Sequence, residues 1–449
     1  MIGVIAVVTK PIAVSDPVSV VGTVAVATLG CRVNSVESAQ ILQQFSNQGW
    51  KKVAFEQPAD LYVINTCTVT GEADRQARQM VRRVIRSNPK AKVVVTGCYA
   101  QINAAACAAI PGVDYVIGNA HKLNLPSVLF APKETRKQQV QVDFPSSEPG
   151  FPTESLTEVE RSRALVQVQL GCDQSCTFCI IHTARGPSRS QLQSRILEQV
   201  QRLVSKGFQE IVLCGIDLGD YRSSDQGDLV ALLQQILQLD GDFRIRLGSI
   251  DPIHLSDGLC QLMAEQARLC PHLHVSLQSG NNLILKRMKR RYDRLWVDRR
   301  LRQFRSLVPD LLVSADIMTG FPTETDEQFQ DTLQMVVEYG IAYPHTFCFS
   351  PRPGTPAAKI PKQVDKVIAR HRAALIREAG MENLVARLAL CPGRIGQVLV
   401  ERSGMEGIAR GRMANYLPVR LSTVVVAKSL LKVAITGFTG QYLIAESLT

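Results

Sequence analysis

The stretch GCDQSCTFCII, Gly171 to Ile181, sets Cys172, Cys176 and Cys179 in the pattern C-x3-C-x2-C. It follows directly on an apolar run, ALVQVQLG, at 164–171. Structural zinc takes four ligands, normally as paired short spacings. No second CxxC follows here, and Asp173 and His182 are not typically spaced as a fourth ligand. An iron–sulfur cluster held by three thiolates instead leaves one iron open for a substrate or cofactor. Such an iron at the mouth of an α/β barrel is a catalytic device. The alternative is a structural zinc site or a loop of ordinary thiols.

Working outward, apolar strand candidates recur from about Arg163 to Gly380: ALVQVQLG, EIVLCGID, RIRLGSI, HLHVSLQSG, LVSADIMTGFP and PHTFCFSP. Helical patterns separate them, among them SRILEQVQRLVSKG and TETDEQFQDTLQMVVEYG. The second opens on a capping box, Thr325 with Gln328, and stops at Gly340. This alternation predicts a partial (β/α) barrel with its chemistry at the strand C-termini. Upstream, VAVATLG, LYVINT, KVVVTG and YVIG alternate with helical stretches and predict a parallel α/β sheet. Downstream of Pro392, short β-like runs with Gly turns predict a small β-barrel. The expected division is a lead-in at 1–22, a first domain at 23–131, a linker at 132–162, a barrel domain at 163–383 and a terminal domain at 384–449.

Three further cysteines follow strand-like runs: Cys31 after VAVATLG, Cys67 after LYVINT and Cys98 after KVVVTG. Strand C-termini of a parallel sheet share one edge, so these distant residues can converge there. Three unrelated, half-buried thiols are the plainer alternative. The other cysteines, Cys107, Cys214, Cys260, Cys270, Cys348 and Cys391, show no such pattern and read as packing residues.

The chain has 449 residues, 45% hydrophobic and 20% charged, which suits two or three ordinary globular domains. Its 12 cysteines are too sparse for a disulfide scaffold. No stretch reads as a membrane span, and Lys10, Pro11, Asp16 and Pro17 break the apolar N-terminus before a signal sequence forms. The expectation is a cytoplasmic protein with reduced thiols. A net charge of +11 favours an anionic partner, nucleic acid before membrane. Arg75, Arg78, Arg82 and Arg86 recur three or four apart as one basic stripe.

The C-x3-C-x2-C loop with Phe178 before its last cysteine resembles the radical S-adenosylmethionine (SAM) superfamily, and GCDQSCTFCIIHTARGPSRS is similar to the methylthiotransferases within it. His182 and Leu170 depart from the residues usual there. TLGCRVN, NTCTVTGEAD and VTGCYAQ are similar to the N-terminal domain of that family. The resemblance implies two 4Fe-4S clusters, a radical one on Cys172, Cys176 and Cys179 and an auxiliary one on Cys31, Cys67 and Cys98. It implies SAM as cofactor, with Phe178, Gly215, Asp217, Ser249, Gln278, Ser279, Asp316 and Gly320 as contacts in LCGIDLGDY, RLGSIDP, SLQSGNN and DIMTGFPTET. Arg185 and Arg189, near the cluster, are candidates to meet a carboxylate or phosphate.

The terminal block resembles a TRAM domain, a small RNA-binding barrel. Arg394, Arg402, Arg410, Arg412 and Lys428 fit an RNA face, and Tyr416 or Phe438 a base-stacking ring. NTCTVTGEADRQARQ is most similar to the threonylcarbamoyladenosine tRNA branch. That implies addition of a methylthio group to C2 of the modified adenosine at tRNA position 37, in the anticodon stem-loop. A flavodoxin or ferredoxin would supply electrons. The isopentenyladenosine tRNA enzyme and the ribosomal-protein aspartate enzyme are the alternatives. A non-catalytic iron–sulfur RNA-binding or electron-transfer protein is a remoter one.

Overall fold

The computed structural model describes residues 21–130, 140–145, 151, 162–224, 227–403, 408–422, 425 and 427–448. Most of the expected lead-in and much of the expected linker lie outside the described residues.

The first sheet is wholly parallel. Its strands are β1 (Gly22–Thr28), β2 (Trp50–Lys52), β3 (Leu61–Thr66), β4 (Lys92–Gly97), β5 (Tyr115–Ile117) and β6 (Val140–Gln141), in the order β2-β1-β3-β4-β5-β6. All six residues of β3 are buried, because both faces of a central parallel strand are covered. Helix α1 (Arg32–Asn47) follows β1, α2 (Gly71–Ser87) follows β3 and the short α3 (Cys98–Ile102) follows β4. In α2 the Thr70 hydroxyl accepts from the Ala73 amide, Glu72 and Asp74 occupy the first turn and Arg86 the last. Its buried Ala77, Val81 and Val84 form the apolar stripe. The expected linker contains one strand that its polar composition hid: Val140–Gln141 adds to the sheet edge beside β5.

Six parallel strand segments form the central barrel wall: Ala164–Gln167, Glu210–Cys214, the interrupted Arg244–Leu247 and Ser249–Ile250, His272–Gln278, Leu312–Thr319 and Tyr343–Cys348. The interruption falls at Gly248, where a Cβ would lie 2.8 Å from the Leu213 carbonyl oxygen. There the strand leaves its partner at 210–214 and pairs onward with 272–278. The helices, including Gln193–Ser205 and Asp326–Glu338, pack outside this wall around one large apolar core. The Thr325–Gln328 capping box is present on both of its hydrogen bonds.

The last five strands close into a barrel in the order 395–402, 409–413, 418–421, 443–447 and 430–438. It docks on the N-terminal ends of the central strands. Glu210, first residue of its strand, accepts from Arg163, Arg244 and Arg246. The same arginines reach the terminal barrel. Arg163 pairs with Glu401, Arg244 donates to the Gln397 and Arg412 carbonyls, and Arg246 donates to the Met413 carbonyl. Leu312, Ala342, Leu384 and Leu388 complete the seam as part of the terminal barrel's core. The opposite end of the central wall, with its strand C-termini, faces the first domain.

Candidate active site

Cys31, Cys67 and Cys98 stand at the C-terminal ends of β1, β3 and β4, which are neighbours in the sheet. Gly30, at φ +100°, lets the Cys31 loop lie on Cys67: a Cβ there would sit 2.7 Å from the Cys67 Cβ. Burial pushes the Cys67 thiol up to about 11, and neighbouring Cys98 and Cys31 add to the rise.

The second set lies on the loop after the first central strand. Burial pushes Cys172 up to about 12, with Asp217 adding to it, and Cys179 up to about 11. The Gln174 and Ile181 amides donate to the Cys172 and Cys179 sulfurs, each at 3.4 Å. Arg290 Nη1 donates to Cys176 Sγ at 3.3 Å, while its Nη2 bonds Asp251 and the Ser276 carbonyl. Buried thiols pushed upward need a nearby cation to ionise, so donors aimed at sulfur fit thiolates on a metal cluster. Among the described residues no three His, Cys, Asp or Glu side chains converge on a single ion-sized point. A cluster that offers each thiolate its own iron does not need one. All 12 cysteines are free of disulfides. Of the cysteines read as packing residues, all but the half-buried Cys348 are buried.

The two cysteine sets are held against each other. Arg185, six residues beyond Cys179, is 1% exposed and enters the first domain. It pairs with Glu37, donates to Asn34 Oδ1, and its Nε donates to Cys98 Sγ at 3.2 Å. Burial opposes the Glu37 carboxylate, but Arg185 and Lys122 hold its pKa below the ordinary value. Val33, Leu170, Ile216 and Phe151 form a small apolar core between the Cys31 and Cys172 loops. A second bridge runs from Arg352 to Thr68 and Asp74, each at 2.6 Å, with the Gly71 amide donating to Ser350.

The expected cofactor contacts separate into groups. Ser249 and Asp316 face the barrel interior and meet: the Ser249 hydroxyl donates to Asp316 Oδ2 at 3.4 Å. Ser276 joins them at 3.3 Å, and His274 and His345 engage Asp316 Oδ1 at 3.1 and 2.9 Å. Phe178 packs, as Phe347 does, against the cluster that holds Met318 and Phe321. Gly215 directly follows its strand, and its neighbours Ile216 and Asp217 donate their amides to Gln169 Oε1. Asp217 Oδ1 and Gln278 Oε1 are buried acceptors without a hydrogen bond, and Gln278 sits at φ +61°. Ser279 and Gly320 turn to other work. Ser279 hydrogen-bonds Thr332 on the helix Asp326–Glu338, and the Gly320 amide donates to Glu324. Sequence reasoning missed His274, Ser276, Arg290, His345 and Arg352. The period-two pattern of HLHVSLQ held part of that signal, since 272, 274 and 276 share a face.

The basic surfaces also sort differently. Arg78 leaves the α2 stripe to donate to the Tyr99 hydroxyl, and Arg75 pairs with Glu72. Arg394 pairs with Asp310. Tyr416 is not a free stacking ring: it lies on His272 at 4.8 Å with Arg412 and Arg246 over it, inside the seam between the two barrels. Phe438 is 38% exposed. No described helix is long and apolar enough to cross a membrane.

Residues 23–118 match the model of the uncharacterized protein family UPF0004, and residues 166–336 match the radical SAM superfamily. The chain resembles the structure of a radical S-adenosylmethionine methyltransferase from Kitasatospora setae at a TM-score of 0.55 and 14% identity, covering 75% of this chain and 73% of that one. That is a likeness of fold. A six-stranded open wall with a three-cysteine loop at its strand ends defines a radical SAM enzyme. The threonylcarbamoyladenosine tRNA methylthiotransferase of Bacillus subtilis is 39% identical, over 78% of each chain. That of Rickettsia prowazekii is 36% identical over 93% of this chain and 96% of its own. The tRNA-2-methylthio-N(6)-dimethylallyladenosine synthase of Mycobacteroides abscessus is 31% identical over 95% and 89%. The chain belongs to the radical SAM methylthiotransferase family and is a sulfur-group transferase.

Proposed function

We propose that this enzyme adds a methylthio group to C2 of N6-threonylcarbamoyladenosine at position 37 of tRNA. The observation that carries this is the meeting of two cysteine triads at one interface, tied by Arg185, Val33 and Leu170. Cys172, Cys176 and Cys179 would hold the radical cluster, and Cys31, Cys67 and Cys98 the auxiliary one. When bound, the reduced cluster and SAM supply a 5′-deoxyadenosyl radical that can take the unactivated C2 hydrogen, which acid–base chemistry cannot reach. Arg290 and the loop amides steady the sulfurs of the first triad, and Arg185 does so at Cys98. Asp217 and Gln278 offer acceptors that lack a hydrogen bond at the strand ends for the amine and hydroxyls of SAM, with Ser249 and Asp316 beside them. The first domain packs over this mouth through Arg185 and Arg352.

The division into a first domain at 23–131, a barrel domain at 163–383 and a TRAM-like domain at 384–449 belongs to the same reading. So do tRNA anticodon recognition by Arg402, Arg410 and Phe438, electron supply by a flavodoxin or ferredoxin, and a cytoplasmic location. The resemblance of the relatives at 35–39% identity favours the threonylcarbamoyl substrate over the dimethylallyl one.

The test is nucleoside mass spectrometry of total tRNA from a host that lacks its own methylthiotransferases and carries this gene or a Cys176→Ala version. The expected result is 2-methylthio-threonylcarbamoyladenosine with the intact gene alone. 2-Methylthio-isopentenyladenosine instead would keep the chemistry and refute the substrate.

A further inference from the structure

The polar face of the central wall carries a histidine that is held at one nitrogen and open at the other. His345 lies on the last strand, Tyr343–Cys348, and its Nδ1 meets Asp316 Oδ1 at 2.9 Å. Its side chain is 75% exposed, and among the described residues its Nε2 makes no hydrogen bond. Asp316 is fixed from the other side by His274, Ser249 and Ser276, so the carboxylate acts as a rigid mount. The Asp316 hydrogen bond raises the His345 imidazole above its ordinary value, which favours the charged form. Two residues along the same strand face stands Phe347, which packs against the same apolar cluster as Phe178 of the cysteine loop. The His345 and Phe347 ring centroids are 6.3 Å apart.

On the reading that the substrate is N6-threonylcarbamoyladenosine, we infer that His345, mounted on Asp316, is the specificity residue that receives the carboxylate of the N6 substituent. The dimethylallyl and threonylcarbamoyl substituents differ most in that charge. An imidazolium N–H donor matches a carboxylate and offers nothing to an alkenyl chain. Arg290 is consumed by Cys176, Asp251 and the Ser276 carbonyl, and Arg32, whose charge is felt at Cys214 and His272, lies toward other strands than the one that carries His345. A donor oriented in this way favours an anionic substituent, because an apolar one would strip solvent from the imidazolium without replacing it.

The experiment uses the reconstituted full chain and anticodon stem-loop RNAs bearing N6-threonylcarbamoyladenosine at position 37, its methyl ester, or isopentenyladenosine. The wild-type enzyme is expected to prefer the free acid over the ester by about tenfold to a hundredfold in KM. In His345→Phe that preference collapses to near unity through a higher KM for the acid, while the KM for the ester moves little. His345→Gln, which retains an N–H donor without charge, falls between them. Iron content and thermal melting report whether each variant folds, and the Gln variant carries the test should the Phe variant not. A wild-type preference for the acid that persists in both variants overturns the role of His345 and leaves the proposed substrate standing. Wild-type turnover of the isopentenyl RNA alone overturns the substrate reading and this inference with it.

Discussion

Single residues carry most of the chemistry here, and they do so in oriented pairs. Arg290 with Cys176 and Arg185 with Cys98 repeat one device: a buried guanidinium, pinned by a carboxylate, aims one N–H at a sulfur. Hydrogen bonds to thiolates lower their electron donation, so both arginines act as positioning residues that tune any cluster their cysteines hold. Cys176→Ala and Cys98→Ala should each leave a protein with about half the iron of the reconstituted wild type, because the two sets are separate. Only Cys176→Ala should also lose SAM cleavage to 5′-deoxyadenosine, measured anaerobically with dithionite. A shared loss of all iron in either variant would refute two independent sites. The cysteine positions were legible from strand-then-Cys spacing. Their arginines were not, because Arg185 was visible only as a basic loop residue and Arg290 lies over a hundred residues from its sulfur.

At the scale of the element, strand 210–214 shows how one buried carboxylate organises a seam. Glu210 is 0% exposed and faces three guanidinium groups. Burial alone would raise its pKa, but Arg246 and Arg244 override that and hold it well below the ordinary value. Its contribution to stability is therefore fully present above 4.5, the ordinary value, and declines as pH falls toward the depressed one. Glu210→Gln leaves the buried Arg244 and Arg246 without a counter-charge and Arg163 with Glu401 alone, and should destabilise the protein by about 3–5 kcal/mol. A melting temperature within a degree of wild type would contradict this. The strand and helix pattern of this region was readable, since alternating apolar runs and a Thr325 capping box are local signals. The seam itself was not, because Tyr416 reads as a possible RNA contact until His272 and Arg412 are found against it.

Across the whole molecule, three units stack along one axis, with the sheet domain over the strand C-termini and the closed barrel beneath the strand N-termini. On the proposed reading, an RNA that touches the lower barrel reaches the mouth from the side. The exposed Arg402 and Arg410 are the barrel cations best placed for phosphate contact, since Arg394 and Arg412 are engaged within the protein. The double variant Arg402→Glu and Arg410→Glu should bind tRNA several-fold more weakly and with a salt slope smaller by about two. The iron content should not change. An unaltered slope in a binding titration would remove the barrel from the RNA path.

The sequence by itself determined the strands of both α/β regions and the strand-end positions of Cys31, Cys67, Cys98 and the Cys172 loop, because these depend on local periodicity and on short spacings. It did not reveal β6, whose two residues are too short to show a period. Tertiary structure alone decided which charged groups are spent within the protein and which remain open. Arg78, Arg185, Arg394 and Arg412 look alike in the sequence, yet each is committed to a partner from another element. His345 gains its meaning only when Asp316 arrives beside it from the adjacent strand. Long-range pairing of polar groups leaves no periodic trace in a chain, because the energy that selects the partner is realised only once water has been excluded from between them.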